Sequence, residues 1–414
     1  MNIKKIIFIT IPIFLIIILF YWFFLRETDR GISFDDFTVL FPSGEVDDID
    51  LGREFRERQE QDQIDGIPIT SQDIYTEDLI LRKISSNPVV NAIIFEDISS
   101  KTTINEDKNY IIRYIEKITG HIYETTTKSL IQNRISNTTI PKINKVLWID
   151  KDNLIIRYIE EDIIKTFSAN LVEDSNNELS LEGVYLQDNI REIIKFNDGI
   201  FYLLEIGTNS IGLTSDLKSE KRKQVLNSDL REWLIYNIDD EKINFTTKTA
   251  ENILGYSFIF NPITENFDKV LANKLNLSTL INKNFDILYT ENLQLIPKLF
   301  VYNFENKVSI DIPINTFPEK CVWGKDNIKV YCGVPNNSLS RSSLDNWYKG
   351  KISFSDDIWE INTNTGKTKK LISPLDEVGE NIDVINIKIN NDDNYLTFIN
   401  KKDFNLWGLK LISN

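Results

Sequence analysis

From about Leu79 to Asn414 the sequence predicts an all-β domain. Short apolar runs alternate with turn residues, and no helical period continues beyond two turns except near residues 215–226. One strand–turn–strand theme also recurs along the chain. Such repetition is typical of folds in which each unit buries its faces only against its neighbours. We therefore expect an array of stacked β-units.

Two hairpin themes carry this prediction. The first is a strand, a Thr-Gly turn and a second strand, found in residues 110–126 and 357–373. The second is an aromatic or apolar strand, an Asp/Asn/Gly turn and an apolar strand, as in VLWIDKDNLIIRYIEED of residues 146–162. The second theme returns in IIKFNDGIFYLLEIG, CVWGKDNIKVYCGVP and INIKINNDDNYLTFINKKDFNLWGLKL. Both themes predict antiparallel hairpins.

Hairpins at intervals of about 40–50 residues are typical of four-stranded propeller blades. About 335 residues at about 45 per blade give a β-propeller of about seven blades. Over most of residues 87–414 the hairpins resemble TolB-like and WD-repeat-like propellers, without the Trp-Asp and Gly-His signatures except at Gly120-His121. The resemblance implies the architecture only and carries over no functional residue. Two tandem β-sandwiches are the alternative.

The amino-terminal residues predict a transmembrane helix. Residues 6–25 carry no charge, and at a rise of about 1.5 Å each they span the roughly 30 Å of a bilayer core. Aromatic residues 21–24 cluster at one end, as at a headgroup boundary. A cleaved signal peptide would have a shorter apolar run and small residues after it, and a core helix would have a polar stripe. The pattern therefore favours an uncleaved signal anchor.

The domain layout follows from this anchor. Residues 1–5 form a short cytoplasmic segment, 6–25 the transmembrane anchor, 26–80 an acidic linker or stalk, and 81–414 the propeller. The flanking lysines and arginines favour an inside amino terminus only slightly. The net charge of -15 and the pI near 4.8 disfavour nucleic acid as a partner of the propeller, because like charges repel.

The two cysteines provide a second indication of orientation. Cys321 and Cys332 flank a predicted turn at Asp326 and Asn327, and counting outward from that turn places them directly opposite each other. Opposed residues on antiparallel strands are close enough for a disulfide, which favours an oxidising, extracytoplasmic location. Two free buried thiols are the alternative.

The sequence predicts no catalytic, cofactor-binding or metal-ligating residue, and no cofactor. No GxSxG, HExxH or phosphate-binding loop occurs, and His121, the only histidine, follows a Thr-Gly turn, where a surface turn residue is expected. The Asp-rich turns at 239–241 and 390–394 have no regular calcium-ligand spacing and are interpreted as blade tips. Paired carboxylates remain an open possibility for glycosidase chemistry.

One long loop is the candidate recognition surface. Between Pro335 and Asp356 the connection exceeds the roughly 2–5 residues of a hairpin, and it carries residue types that are enriched where proteins bind partners. The candidate residues are Arg341, Trp347, Tyr348 and Lys349. The alternative is that the two aromatic residues cap the propeller core.

These observations favour a membrane-anchored extracytoplasmic propeller that binds or scaffolds another envelope protein or complex. The alternatives are a glycosidase-like hydrolase, which requires a central pocket with paired carboxylates, and a carbohydrate-binding module, which requires exposed aromatic platforms for a glycan. An enzyme is the less favoured of these hypotheses.

Overall fold

The domain is a seven-bladed β-propeller. A computed structural model describes residues 79–98, 108–136, 138–173 and 179–411. Within these residues, 28 strands form seven antiparallel sheets of four strands each. Six sheets follow chain order from their first to their fourth strand, and the seventh takes its fourth strand from the start of the domain. The predicted all-β class and blade number are confirmed.

The strands of the first three blades are as follows. Blade 1 contains β2 (Val89–Glu96), β3 (Tyr110–Glu116), β4 (Ile122–Thr126) and β5 (Asn133–Arg134). Blade 2 contains β6 (Ile143–Trp148), β7 (Asn153–Glu160), β8 (Ile163–Glu173) and β9 (Leu179–Tyr185). Blade 3 contains β10 (Ile190–Phe196), β11 (Gly199–Ile206), β12 (Asn209–Ser215) and β13 (Lys223–Ser228).

The remaining blades complete the ring. Blade 4 contains β14 (Trp233–Asn237), β15 (Ile243–Thr247), β16 (Leu254–Asn261) and β17 (Asn266–Leu275). Blade 5 contains β18 (Ser278–Ile281), β19 (Ile287–Leu293), β20 (Ile296–Asn303) and β21 (Val308–Ile312). Blade 6 contains β22 (Cys321–Trp323), β23 (Lys329–Pro335), β24 (Asp356–Asn362) and β25 (Lys367–Ile372), and blade 7 contains β26 (Val384–Ile389), β27 (Tyr395–Asn400), β28 (Leu406–Lys410) and β1 (Leu81–Lys83). Two short helices, α1 (Ser343–Tyr348) and α2 (Pro374–Val378), and a 3-10 turn (Pro318–Lys320) accompany blades 6 and 7.

The first strand of each blade lies toward the propeller axis. First strands of blades 1, 2, 3, 4 and 7 all contribute residues to one cavity, which only strands beside the axis can do. We call the side on which first strands begin the upper face. Because successive strands alternate in direction, the turns between second and third strands also lie on the upper face, and those between third and fourth strands lie on the lower face.

The ring is closed by β1. This strand pairs with β28, with Leu81 opposite Leu409 and Lys83 opposite Trp407. Arg82 is buried between the first and last blades. Its Nε lies 3.1 Å from the hydroxyl of Tyr395 in blade 7, and an Nη lies 2.6 Å from the carbonyl of Thr126 in blade 1. The closing strand is therefore fixed to both ends of the ring.

The hydrophobic core lies mainly between neighbouring blades. One cluster joins the first two blades through residues such as Ile122 and Trp148. Another joins blades 3 and 4, where the rings of Phe201 and Phe245 meet edge to face with centroids 5.8 Å apart. Each blade thus buries its faces against its neighbours, as the repeat predicts.

The hairpin themes are placed differently in the blades. All four segments of the second theme form the hairpin between first and second strands, in blades 2, 3, 6 and 7. The Thr-Gly theme instead joins second and third strands in blade 1 and third and fourth strands in blade 6. Gly120 and Gly366 both adopt positive φ there, which glycine tolerates without strain. Only the second theme marks equivalent positions of the repeat.

The possible helix near residues 215–226 is absent, and this prediction was wrong. The segment is a turn followed by β13. The carboxylate of Asp216 accepts a hydrogen bond of 2.8 Å from the backbone N–H of Glu220, so the aspartate side chain closes a turn in place of helical bonding.

The predicted anchor at residues 6–25 and most of the linker at 26–80 lie outside the described residues. Among the residues that the structure describes, no helix has the length and apolar character needed to cross a bilayer.

Candidate functional site

The first strands of four blades contain a β-bulge close to their starts. The register shifts between Val89 and Asn91, and at corresponding points of β6, β10 and β26. A bulge leaves backbone groups unpaired and redirects the side chains next to it. The bulges therefore expose backbone carbonyls and turn polar side chains toward the upper mouth of the channel.

Side chains of neighbouring blades bind backbone carbonyls at or near the bulges. Asn386 donates to the carbonyl of Val90 at 3.4 Å, and Asn91 donates to the carbonyl of Val146 at 2.6 Å. Arg157 of blade 2 donates to the carbonyl of Arg191 in blade 3 at 3.2 Å. These bonds link four consecutive blades, so the rim of the channel mouth is held by a continuous network.

A cavity of about 250 Å³ occupies the channel mouth. Its lining residues are Val90, Asn91, Asn144, Lys145, Val146, Glu192, Leu234, Ile235, Tyr236 and Asn386. Lys145, Glu192 and Tyr236 come from three successive blades. Among the described residues, none of these three side chains has a hydrogen-bond partner. The cavity thus presents a cation, a carboxylate and a phenol that are available to a ligand.

The protonation of these groups depends on burial and on their neighbours. Burial lowers the pKa of Lys145, and the charge of Glu192 opposes this shift. Burial raises the pKa of Tyr236, and the charges of Glu319 and Glu192 raise it further. Tyr236 therefore remains a neutral hydroxyl over the physiological pH range.

The predicted recognition loop lies over one side of the upper face. We call residues 336–355, which include α1, the blade 6 insertion. Arg341 forms an ion pair with Glu251 of blade 4, and its carbonyl accepts hydrogen bonds from Asn276 at 3.3 Å and Asn292 at 3.1 Å. The insertion therefore reaches across blade 5 to blade 4.

Two of the four predicted loop residues do not form an open surface. Trp347 is only 4% exposed and packs among Phe317, Phe354 and other core residues. Tyr348 packs partly buried on the same cluster and donates to Glu319. Both rings cap the core, as the alternative interpretation of this loop expects, and a role of the loop in recognition stays a prediction. Arg341 and Lys349 are exposed.

Glu319 connects the insertion to the channel wall. It accepts hydrogen bonds from Tyr348 and, at 2.5 Å, from Ser278 of blade 5. Burial raises the pKa of its carboxyl group, and these hydrogen bonds oppose the rise. Its Oε2 is buried and has no partner among the described residues.

A buried charge network fixes the other end of the insertion. The Nζ of Lys320 lies 2.6 Å from Asp356 and 2.5 Å from Asp383, and all three side chains are completely buried. Burial raises the pKa of Asp356 to about 6, while the charge of Lys320 opposes the shift. Breaking a buried ion pair leaves an uncompensated charge, so this network holds blades 6 and 7 in one arrangement.

Cys321 and Cys332 face each other in the first hairpin of blade 6. The register pairs Cys321 with Cys332 and Trp323 with Val330, which is the predicted register. The two sulfurs form a disulfide. The hairpin belongs to the blade that carries the insertion.

The other candidate positions are turn residues. His121 follows the Thr-Gly turn of blade 1, and its Nε2 lies 3.1 Å from the hydroxyl of Thr139. Asp239 accepts hydrogen bonds from two backbone N–H groups of its own turn, at 2.8 Å each. Asn390 accepts two such bonds in its turn, at 3.0 Å each. None of these residues lines the cavity.

Comparisons with known proteins identify no family for this chain. No protein-family model matches the sequence, and no curated protein matches it. Among solved structures, the chain resembles oligogalacturonate lyase from Vibrio parahaemolyticus, with 9% identity, 80% of this chain and 99% of that chain covered, and a TM-score of 0.47.

Two further structures are also similar. The Cps50 (Swd1) β-propeller domain from Myceliophteria thermophila has 8% identity, 80% and 100% coverage and a TM-score of 0.46. TolB from Acinetobacter baumannii has 10% identity, 77% and 79% coverage and a TM-score of 0.38. The propeller prediction is confirmed by the blade topology itself, and no function is carried across from these structures.

Proposed function

We propose that this chain is a membrane-anchored propeller that lies outside the cytoplasm and binds another envelope protein through its upper face. The observation that carries the proposal is a series of exposed aliphatic side chains on five successive blades. Each lies at or beside the turn between the second and third strands, and the series is Ile118, Ile159, Ile206, Ile253 and Leu295. Their exposure ranges from 42% to 64%. Exposed apolar groups that share one face of a domain are typical of interaction sites.

A pull-down from gently solubilised membranes tests this binding face. The full chain with a carboxy-terminal tag is compared with Ile206→Asp and Leu295→Asp. Leu295 already has positive φ, a conformation that aspartate tolerates, so this change leaves the turn unstrained. The matched control is Ile263→Asp, because Ile263 is 63% exposed but lies on the lower face, between β16 and β17.

A partner that is lost from both upper-face variants and retained by Ile263→Asp supports the proposal. A partner retained by all three variants contradicts it. Orientation is tested separately by adding protease to intact spheroplasts. Digestion of the carboxy-terminal tag before lysis is the expected result, and protection of the tag until lysis contradicts the extracytoplasmic location.

A glycosidase-like hydrolase is the second candidate function. Glu192 lines the cavity, Glu319 lies beneath the insertion with a raised pKa, and both act electrostatically on Tyr236. Two carboxyl groups near one pocket are the minimum for this chemistry. Release of reducing ends from a panel of oligosaccharides, abolished by Glu192→Gln, would favour the hydrolase over the binding module.

A further inference from the structure

We propose that the cavity at the channel mouth binds a small zwitterion, with an ammonium group at Glu192, a carboxylate at Lys145 and an aliphatic remainder against the apolar wall. The ligand class is a free amino acid with an aliphatic side chain. The inference rests on the proposed function only in taking the upper face as the binding face.

The first argument is the charge arrangement of the cavity. Lys145 and Glu192 line the same cavity, yet they form no ion pair in the part of the chain that the structure describes. Two opposite charges that line one cavity without forming an ion pair are both open to a ligand. We call these two charges, at Lys145 and Glu192, the poles of the cavity. A zwitterion neutralises both poles at once, whereas a ligand with one charge leaves the other pole uncompensated.

The second argument is that both poles are held in place. Each follows a bulge, at Asn144 in β6 and at Arg191 in β10. Arg157 lies opposite Lys145 in the sheet and donates to the carbonyl of Arg191, directly before Glu192. The backbone that carries the two charges is therefore fixed before binding, which lowers the entropy cost of binding.

The third argument is the remaining lining of the cavity. Tyr236 supplies a neutral hydroxyl and Asn144 a carboxamide, both of which can bond a carboxylate or an ammonium group. Val90, Val146 and Leu234 supply apolar surface. A volume of about 250 Å³ equals that of about eight liquid waters, which is enough for an aliphatic amino acid.

Isothermal titration calorimetry on the full chain in mild detergent tests the inference with three probes. L-leucine carries both charges, L-leucinamide only the ammonium group, and N-acetyl-L-leucine only the carboxylate. Loss of one charge-assisted contact is expected to weaken binding by about 10- to 100-fold. L-leucine should therefore bind more tightly than either single-charge analogue by about that factor.

Two variants assign the poles. Lys145→Gln should remove the advantage of L-leucine over leucinamide, and Glu192→Gln should remove its advantage over N-acetyl-leucine. The matched controls are Lys218→Gln and Glu220→Gln, which make the same changes at exposed positions between β12 and β13. Both controls should bind L-leucine like the wild type. Circular dichroism establishes that each variant is folded.

Three results would each overturn the inference: no binding of L-leucine to the wild type at millimolar concentration, equal affinity for the three probes, or unchanged affinity in both cavity variants. If the inference fails while Ile206→Asp still loses its partner, the proposed function stands alone. If L-leucine binds as expected while both upper-face variants keep the partner, the protein-binding proposal is the one that fails.

Discussion

The indole nitrogen of Trp347 lies 3.0 Å from each carboxylate oxygen of Asp383. Both residues are buried, and the bond connects α1 in blade 6 to the residue that precedes the first strand of blade 7. Asp383 also accepts from Lys320, so the same carboxylate holds the insertion and the blade interface. The helix α1 of the blade 6 insertion is therefore part of the core.

Replacing Trp347 is expected to destabilise the fold. Trp347→Ala creates a cavity and removes a donor from Asp383, and such changes cost about 3–5 kcal/mol of unfolding free energy. Trp347→Phe keeps most of the volume and should cost less. Denaturant unfolding of the full chain measures both, with Lys349→Ala as an exposed neighbouring control within about 0.5 kcal/mol of the wild type. A Trp347→Ala variant as stable as this control would contradict the assignment.

Asp356 should make stability depend on pH. Its folded pKa of about 6 lies above the unfolded value of about 3.9, so the folded state binds the proton more tightly. The contribution of this carboxyl group to stability therefore increases as the pH falls from about 6 to about 4. Over that range the wild type should gain about 2 kcal/mol relative to Asp356→Asn.

Unfolding free energies at several pH values measure this difference, with Asp240→Asn at an exposed turn as the control. A constant difference between wild type and Asp356→Asn across the pH range would refute the expected linkage.

Arg341→Ala should loosen the insertion without unfolding the propeller. The ion pair with Glu251 is partly exposed, and such pairs contribute up to about 1 kcal/mol. We expect faster amide hydrogen exchange in peptides that contain α1, with little change in the unfolding midpoint. Lys349→Ala is the matched control, because it removes a nearby exposed cation. Unchanged exchange in α1 would show that the ion pair does not hold the insertion.

Replacing both cysteines should weaken blade 6. Cys321 and Cys332 are 11 residues apart, and a disulfide across such a loop stabilises by about 3 kcal/mol in the chain-entropy model. The double Cys→Ser variant should lose that amount in denaturant unfolding. Alkylation of protein unfolded without reductant provides the check, since oxidised cysteines do not react. Two labelled thiols in wild type from its native compartment would contradict the extracytoplasmic proposal.

The first hairpin of blade 6 could be predicted from sequence. The carboxylate of Asp326 accepts bonds from the N–H groups of Ile328 and Lys329, at 2.8 and 2.9 Å, and Asn327 has positive φ. These two residues favour the turn through contacts within the turn itself. For this reason counting outward from the turn gave the correct pairing of Cys321 with Cys332.

The candidate cavity was missed because its residues belong to different repeats. Lys145 and Glu192 are 47 residues apart, and Glu192 and Tyr236 are 44 residues apart. Both spacings match the length of one blade. Polar residues that recur at this interval near the starts of first strands are the sequence pattern that indicates such a cavity. For Trp347 the sequence left recognition and core capping open, because its partner Asp383 lies 36 residues away in the next blade.

Force applied to the start of the described domain would reach the propeller at β1, the shortest strand of blade 7. Arg82 would then hold blades 1 and 7 together, because its guanidinium group is hydrogen-bonded to both blades. A load that enters at β1 would therefore be shared between the two ends of the ring rather than pulling one away from the other.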